Sequence, residues 1–200
     1  MARCASEGMD VRVIFMTDGV SARDDGNAEE RREAARRSCA ILGTREPLFN
    51  QFPDNAMDTV PLIEVAKVVE AAVSEIRPTT IFTHHHGDLN VDHEVVHRAV
   101  MTACRPQPGH GVRSLLTFPV RSSTEWAIAS PDRAFRPSLF VDITSTLSAK
   151  IDALQAYSME LRPSPHSRSV EAVEAEAHLV GAGCGRHAAE AFMVSRCIID

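Results

Sequence analysis

Short β-rich runs alternate with helical patterns along the first 84 residues, and this alternation restricts the possible folds more than any other feature. Residues 11–16 and 79–84 are apolar, β-branched runs that predict strands. Residues 27–43 predict a helix with Asn27 as its N-cap, and residues 60–76 repeat apolar side chains every 3.6 positions. Helices that alternate with strands are typical of an α/β domain with a largely parallel sheet.

The second half of the chain continues the same mixture of elements. Its patterns predict three strands, at 114–120, 138–143 and 190–199, and two helices, at 145–161 with Ser145 as the N-cap and at 169–183. There is no internal repeat and no linker-like segment. We therefore expect one α/β domain over residues 1–200, a three-layer Rossmann-like, mostly parallel sheet with helices on both faces.

Composition excludes several classes of partner. The chain has 21 basic and 27 acidic residues, a net charge of −6, which disfavours nucleic acid or an anionic membrane as the main partner. No apolar run is long enough to span a bilayer. The five cysteines are scattered and include no C-x-x-C pair, and the first residues lack the apolar core of a secretory signal. We expect reduced thiols and a cytoplasmic protein.

Residues 83–99, THHHGDLNVDHEVVHRA, contain five histidines and are the strongest candidate for a site. They include His93, Glu94 and His97 in the H-E-x-x-H pattern of zinc peptidases, in which two histidines bind zinc and the glutamate is the base. The extended pattern requires glycine where Val100 stands, and the motif lies at the start of a predicted helix. A zinc peptidase is therefore the weaker alternative.

The competing interpretation takes residues 87–93, GDLNVDH, as the functional unit. Gly87 permits a tight turn, and Asp88 and Asn90 can hold the loop through side-chain bonds to the backbone. We expect Asp92 to be the N-cap of the next helix, with His93 as a metal ligand beside this orienting carboxylate. The structural alternative is that these acids only shape the turn while the histidines face solvent.

The order of motifs along the chain resembles that of the LmbE-like, or PIG-L, zinc-dependent N-deacetylases. The resemblance includes the segments MTDGVS (16–21), ERREAARRSCAILG (30–43), FPDNAMDTVPL (52–62), HGDLNVDH (86–93), ACRPQPG (103–109), SSTEW (122–126), SLFVDIT (138–144), PHSRS (165–169) and AEAF (189–192). It implies a hydrolase that uses Zn²⁺ to remove acetyl groups from N-acetylglucosamine-type sugars or their conjugates. Homo-oligomerisation stays open.

The resemblance also implies roles for individual residues. His93 corresponds to the family's third zinc ligand, with Asp92 as the catalytic carboxylate next to it. Asn90 stands where many members have a histidine thought to stabilise the transition state. The residues expected to contact substrate are Asp18, Arg31, Asp88, His166 and Arg168, although Ala34 replaces a glutamate usually found three residues after the arginine. For His166 and Arg168, packing under a surface loop is an equal alternative.

One half of the family's metal site is absent from the sequence. A His-Pro-Asp-Asp-Glu motif supplies two zinc ligands and the general base in the family, and these 200 residues do not contain it. The resemblance implies that a first strand, its loop and most of a helix are missing before Met1. A misplaced start codon or broken reading frame, a degenerate paralogue, or a partner chain supplying the motif would each explain this. We expect the chain to be a weak zinc binder with little or no activity, or a non-catalytic sugar-binding remnant.

Overall fold

The computed structural model describes residues 1–21, 27–128 and 130–199, and within them the chain alternates helices and strands. In chain order the elements are α1 (Ala2–Ser6), β1 (Ile14–Thr17), α2 (Ala28–Leu42), β2 (Leu48–Phe52), α3 (Leu62–Ile76), β3 (Thr80–His84), α4 (Val91–Ala103), β4 (Ser114–Phe118), β5 (Leu139–Asp142), α5 (Leu147–Gln155), α6 (Val170–Gly183) and β6 (Ala189–Cys197). The predicted α/β class is confirmed.

The strands form two sheets in which parallel pairing dominates. β1 pairs with β2 in parallel, from Ile14 opposite Leu48 to Thr17 opposite Phe52. The second sheet has the order β3-β4-β6-β5, with β3 and β4 parallel and β4 and β6 antiparallel. The mostly parallel pairing agrees with the prediction. The prediction had one sheet, whereas the strands form a two-stranded and a four-stranded sheet.

The described residues fall into two compact units. One unit contains Met1–Asp54 and Phe140–Glu190, and the other contains Asn55–Leu139 together with the segment that begins at Ala191. In the first unit α2 packs against α5, and α5 packs against α6. In the second unit α4 packs against both α3 and β3. The single domain over residues 1–200 stays a prediction.

Local sequence signals explain the two ends of α2 and the buried face of α3. The Asn27 side chain accepts hydrogen bonds from the backbone N–H groups of Glu29 and Glu30, so the predicted N-cap of α2 is confirmed. Gly43 ends the same helix at φ +71°, a left-handed conformation that glycine adopts without strain. The helix α3 buries Val65, Ala66 and Val69, which lie on its predicted apolar face.

The structure corrects three details of these elements. The strand β2 was missed, because Asn50 and Gln51 break the apolar pattern of LFNQF. Ser145 is not an N-cap: it lies inside a 3₁₀ turn, and α5 begins at Leu147 after Thr146. That helix also ends at Gln155 instead of residue 161, and residues 156–160 continue as turns.

All five cysteines are free. Among the described helices, none is both long and apolar enough to cross a membrane.

Candidate active site

The histidine-rich loop begins where the parallel strand β3 ends. His84 is the last residue of β3 and lies opposite Phe118, the last residue of the neighbouring parallel strand β4. The His85 N–H donates to the Phe118 carbonyl and continues this contact by one residue. Ligand sites of open α/β sheets form at this carboxyl end of the strands, so the loop lies where chemistry is expected.

Asn90, and not Asp92, is the N-cap of α4. Its side-chain oxygen accepts the Asp92 N–H at 2.8 Å, and its backbone is extended, at φ −76° and ψ 124°. The expectation that Asp92 caps the helix is therefore wrong, because the asparagine two residues earlier already binds the free N–H. His93 consequently occupies the third helical position instead of the first.

The Asp88 carboxylate is fully buried and accepts four hydrogen bonds. The His93 Nδ1–H and the Asn90 N–H each donate to Oδ1 at 2.9 Å, the Ser123 hydroxyl also donates to Oδ1, and the Thr124 hydroxyl donates to Oδ2 at 2.6 Å. Burial by itself would raise the pKa of Asp88. The four donors favour the charged form and hold the pKa well below its usual range.

His93 is held from two directions. Its Nδ1–H donates to Asp88, and its ring stacks on His84 with a centroid separation of 4.1 Å and an interplanar angle of 5°. Only 19% of the side chain is exposed. In the neutral imidazole, a proton on Nδ1 leaves the lone pair on Nε2, and a carboxylate-oriented imidazole of this kind is typical of metal ligands. The alternative that this histidine faces bulk solvent is therefore wrong.

The carboxylate that orients the His93 ring is Asp88 and not the neighbouring Asp92. Asp92 is 5% exposed, and its two oxygens accept the backbone N–H groups of Asn55 and Met57 at 2.7 and 2.9 Å. The expectation that Asp92 orients the neighbouring histidine is wrong, because both of its oxygens bind the segment before α3. Its catalytic role stays a prediction.

Asn90 joins the same network through its other side-chain atom. Its Nδ2 donates to Asn55 Oδ1 at 2.9 Å while its Oδ1 caps α4. An amide N–H can stabilise an oxyanion but cannot transfer a proton to it. The prediction that Asn90 contacts the transition state stays untested, and the geometry fixes its amide at the start of α4.

The rest of the histidine loop packs against residues 130–135. His85 is fully buried and its Nε2–H donates to the Arg133 carbonyl at 2.8 Å, while the His86 Nε2–H donates to the Asp132 carbonyl at 2.7 Å. Burial lowers the pKa of His85. Burial, followed by the nearby His93, lowers the pKa of His84 to about 3. Both imidazoles are therefore neutral at pH 7.

Two residues of the H-E-x-x-H pattern make contacts that a peptidase would not use. His97 donates its Nδ1–H to the His84 carbonyl at 2.9 Å, and Glu94 forms an ion pair with Arg133. A catalytic glutamate has to reach a metal-bound water instead of a guanidinium. The peptidase alternative is not favoured.

Glu94 provides a direct test of that alternative. We expect Glu94→Gln to change the free energy of unfolding by less than about 1 kcal/mol, since the ion pair is partly exposed. We expect acetate release by any active form of the protein to be unchanged. A denaturant titration and an acetate-release assay measure these two quantities. Peptide hydrolysis by the protein that Glu94→Gln abolishes would restore the peptidase interpretation.

The remaining predicted substrate residues lie in the first compact unit. Glu160 forms ion pairs with both Arg31 and Arg168, and the second contact measures 2.7 Å. The Arg168 N–H donates to His166 Nδ1 at 2.9 Å. Asp18 accepts the N–H groups of Val20 and Ser21 in the turn after β1. Burial opposes the low pKa of Asp18, but these bonds and the Ser21 hydroxyl hold it below its ordinary value.

Comparison with known proteins identifies the family. The family described as PIG-L, GlcNAc-PI de-N-acetylase, matches residues 1–104, which is just over half of the chain. The chain belongs to the PIG-L family. The YaiS protein of Escherichia coli K12, named as an uncharacterized deacetylase, is 28% identical over 113 residues, which cover 54% of this chain and 60% of YaiS. The chain therefore matches less than two thirds of the length of this relative.

Solved structures support the PIG-L fold. The conserved protein TT1542 of Thermus thermophilus has a TM-score of 0.78 at 25% identity, over 100% of this chain and 87% of that protein. The N,N'-diacetylchitobiose deacetylase of Pyrococcus horikoshii has a TM-score of 0.75 at 17% identity, over 98% and 76% of the two chains. Both similarities extend beyond the 104 residues that match the family.

The residues present do not form the complete metal cage that zinc chemistry in the PIG-L family implies. His93 has the surroundings of a ligand, but the described residues contain no group of three or more His, Cys, Asp or Glu side chains placed to hold one ion. A zinc site needs three or four protein ligands. His93 and Asp88 therefore form only a half-site.

Sequence reasoning missed the residues that support this half-site from a distance. Ser123 and Thr124 bind Asp88 although they are 35 and 36 residues away in sequence, and Asn55 contacts Asn90 across 35 residues. Glu160, which joins Arg31 and Arg168, was also missed. The family-like segments SSTEW and FPDNAMDTVPL contained the first three, but no spacing rule links them to the histidine loop.

Proposed function

We propose that this chain contributes to a metal-dependent de-N-acetylase of N-acetylglucosamine-type sugars or their conjugates. Membership of the PIG-L family supports the reaction class, and both YaiS and the Pyrococcus enzyme carry the name deacetylase. The name of the Pyrococcus enzyme gives an N-acetylated disaccharide as its substrate. The reaction is hydrolysis of an acetamide, in which water adds to the carbonyl and acetate leaves a free amine.

The observation that carries the proposal is the arrangement of His93 and Asp88. A fully buried carboxylate fixes the Nδ1–H tautomer, which leaves Nε2 as the nitrogen for a metal such as Zn²⁺. The Asn90 amide lies three residues earlier and could donate to the developing oxyanion. Asp18, Arg31, His166 and Arg168 remain the proposed substrate contacts, and Asp92 remains a proposed catalytic group. Asp88 was predicted among the substrate contacts, but four donors occupy its fully buried carboxylate, so we propose an orienting role for it instead.

Zinc titration separates the proposal from its alternatives. We expect the 200-residue chain alone to bind zinc weakly and to release little or no acetate, because it holds one recognisable ligand. The same chain joined to an N-terminal segment that contains the His-Pro-Asp-Asp-Glu motif, called the joined protein below, should bind zinc tightly at 1:1 and release acetate. In that protein His93→Ala should abolish zinc binding, whereas the matched change His97→Ala should leave most of it.

Two results would contradict the proposal. One is tight zinc binding and turnover by the 200-residue chain that survive His93→Ala. The other is zinc binding in the joined protein that depends on His97 and not on His93. Calorimetry measures the binding, and a coupled acetate assay on N-acetylglucosaminides measures the turnover.

A further inference from the structure

One residue outside the histidine loop contacts both Asn90 and Asp92, the two residues proposed to act in the reaction. Asn55 follows β2 along the chain and belongs to the same compact unit as the histidine loop. Its side-chain Oδ1 accepts the Asn90 Nδ2–H at 2.9 Å, and its backbone N–H donates to Asp92 Oδ2 at 2.7 Å. Asn55 therefore holds the start of α4 at two points.

The backbone around Asn55 is well anchored. Its φ is +53°, a left-handed conformation that most residues avoid and that asparagine adopts several times more often. Two residues later, the Met57 side chain is fully buried, and the Met57 N–H donates to the other Asp92 oxygen at 2.9 Å. The acceptor that Asn55 offers to Asn90 is therefore attached to a backbone that the core holds in place.

The hydrogen bonds of Asn90 orient its side-chain amide and leave one proton for a ligand. Its Oδ1 accepts the Asp92 N–H at 2.8 Å, which identifies the oxygen, and its Nδ2 donates to Asn55. A primary amide carries two N–H protons. Among the described residues no second acceptor binds Nδ2, so its other proton can serve a ligand.

We propose that Asn55 is a positioning residue for deacetylation, which aims the Asn90 amide at the acetamide oxygen of the substrate. Negative charge develops on that oxygen when water adds to the carbonyl, and a donor that is already in position stabilises this charge without reorganising. Asn55 acts through Asn90 and does not contact the substrate itself. The inference rests on the proposed function, because it takes an N-acetylated sugar as the substrate.

Three variants separate this role from a simple tie between the Asn55 turn and α4. Asn55→Gly removes the acceptor for Asn90 but keeps the left-handed backbone and the N–H that binds Asp92. Asn55→Asp keeps an acceptor oxygen in a residue that also tolerates this conformation. Arg77→Gly is the matched control, because Arg77 is left-handed at φ +51° and lies at the opposite end of α3 from the Asn55 turn.

Steady-state kinetics of the joined protein with methyl N-acetylglucosaminide test the positioning. Removal of a whole oxyanion donor lowers kcat by about 10²–10³, and a misaligned donor should lose less. We therefore expect Asn55→Gly to lower kcat about tenfold and to leave KM within about twofold of the parent value. We expect Asn55→Asp to retain most of kcat and Arg77→Gly to behave like the parent protein.

The Asn90 amide gives a second measurement on the 200-residue chain, and this one does not depend on activity. Its two N–H signals in ¹H–¹⁵N NMR spectra are those that disappear in Asn90→Asp. We expect Asn55→Gly to move them toward the positions of a solvent-exposed asparagine, because one proton loses its acceptor. Asn55→Asp and Arg77→Gly should leave one proton in its hydrogen-bonded position.

Three results would overturn the inference: equal kcat values for Asn55→Gly and Arg77→Gly, equal losses in Asn55→Gly and Asn55→Asp, or a higher KM with kcat unchanged. Circular dichroism confirms that each variant is folded. A joined protein that releases no acetate contradicts the proposed function, and the Asn90 signals then decide about Asn55. Shifted signals in Asn55→Gly support the positioning of Asn90, and unchanged signals contradict it.

Discussion

Replacing Asp88 with alanine should lower the free energy of unfolding by at least about 3 kcal/mol, because four donors that converge on the buried carboxylate would lose their acceptor. Those donors are the side chains of His93, Ser123 and Thr124 and the Asn90 N–H. The carboxylate is fully buried, so water cannot take its place without entering the site. Denaturant unfolding at pH 7 measures this loss.

Asp88→Asn separates the loss of charge from the loss of an acceptor. Its remaining carbonyl oxygen can occupy the place of Oδ1, where three donors meet, but its NH₂ group would face the Thr124 hydroxyl. We expect roughly half the loss of the alanine variant. Asp152→Ala, at an exposed position on α5, is the matched control and should change stability by less than about 0.5 kcal/mol.

An Asp88→Ala variant as stable as the control would show that the network adds nothing to folding. The same variants also test the half-site. In the joined protein we expect both Asp88 changes to weaken zinc binding, since the Nδ1–H tautomer of His93 loses its carboxylate partner. Removing the outer partner of a metal-binding histidine typically lowers metal affinity by about 10–100-fold, and we expect a loss of that size.

Adding one methyl group at Gly87 should destabilise the second unit by about 1–3 kcal/mol or more. A Cβ at this position would lie inside the contact distance of the Arg133 carbonyl oxygen and 2.8 Å from His85 Nε2. The neighbour is backbone, and the same carbonyl accepts the hydrogen bond of the buried His85. It cannot move aside without breaking that bond.

Gly111→Ala is the matched control for this change, because a Cβ there meets nothing within 4 Å. We expect thermal unfolding of Gly87→Ala to shift to a lower temperature and that of Gly111→Ala to stay near the parent value. Equal melting temperatures for the two variants would mean that residues 130–135 do not pack against the histidine loop as described. Hydrogen exchange at His85 would locate the change.

The sequence by itself determined most of the element types, with β2 as the exception, and the position of the histidine loop. Asn27 and Gly43 set the two ends of α2 through hydrogen bonds made within one helical turn. The 3.6-residue repeat of apolar side chains in α3 predicts which face of that helix is buried. Such signals are local, so a single sequence contains them in full. The segment before α4 was likewise recognisable as a loop at the end of a strand, and the order of motifs indicated the PIG-L family.

Only the tertiary structure decided which hydrogen-bond partners Asp88 and Asp92 each have. Asp88 and Asp92 lie four residues apart and are chemically identical, yet the first orients His93 and the second binds the N–H groups of Asn55 and Met57. That choice depends on partners more than thirty residues away, namely Ser123 and Thr124 for the first and the segment before α3 for the second. Hydrogen bonding at that range depends on the packing of strands and helices, and residue spacing does not encode it.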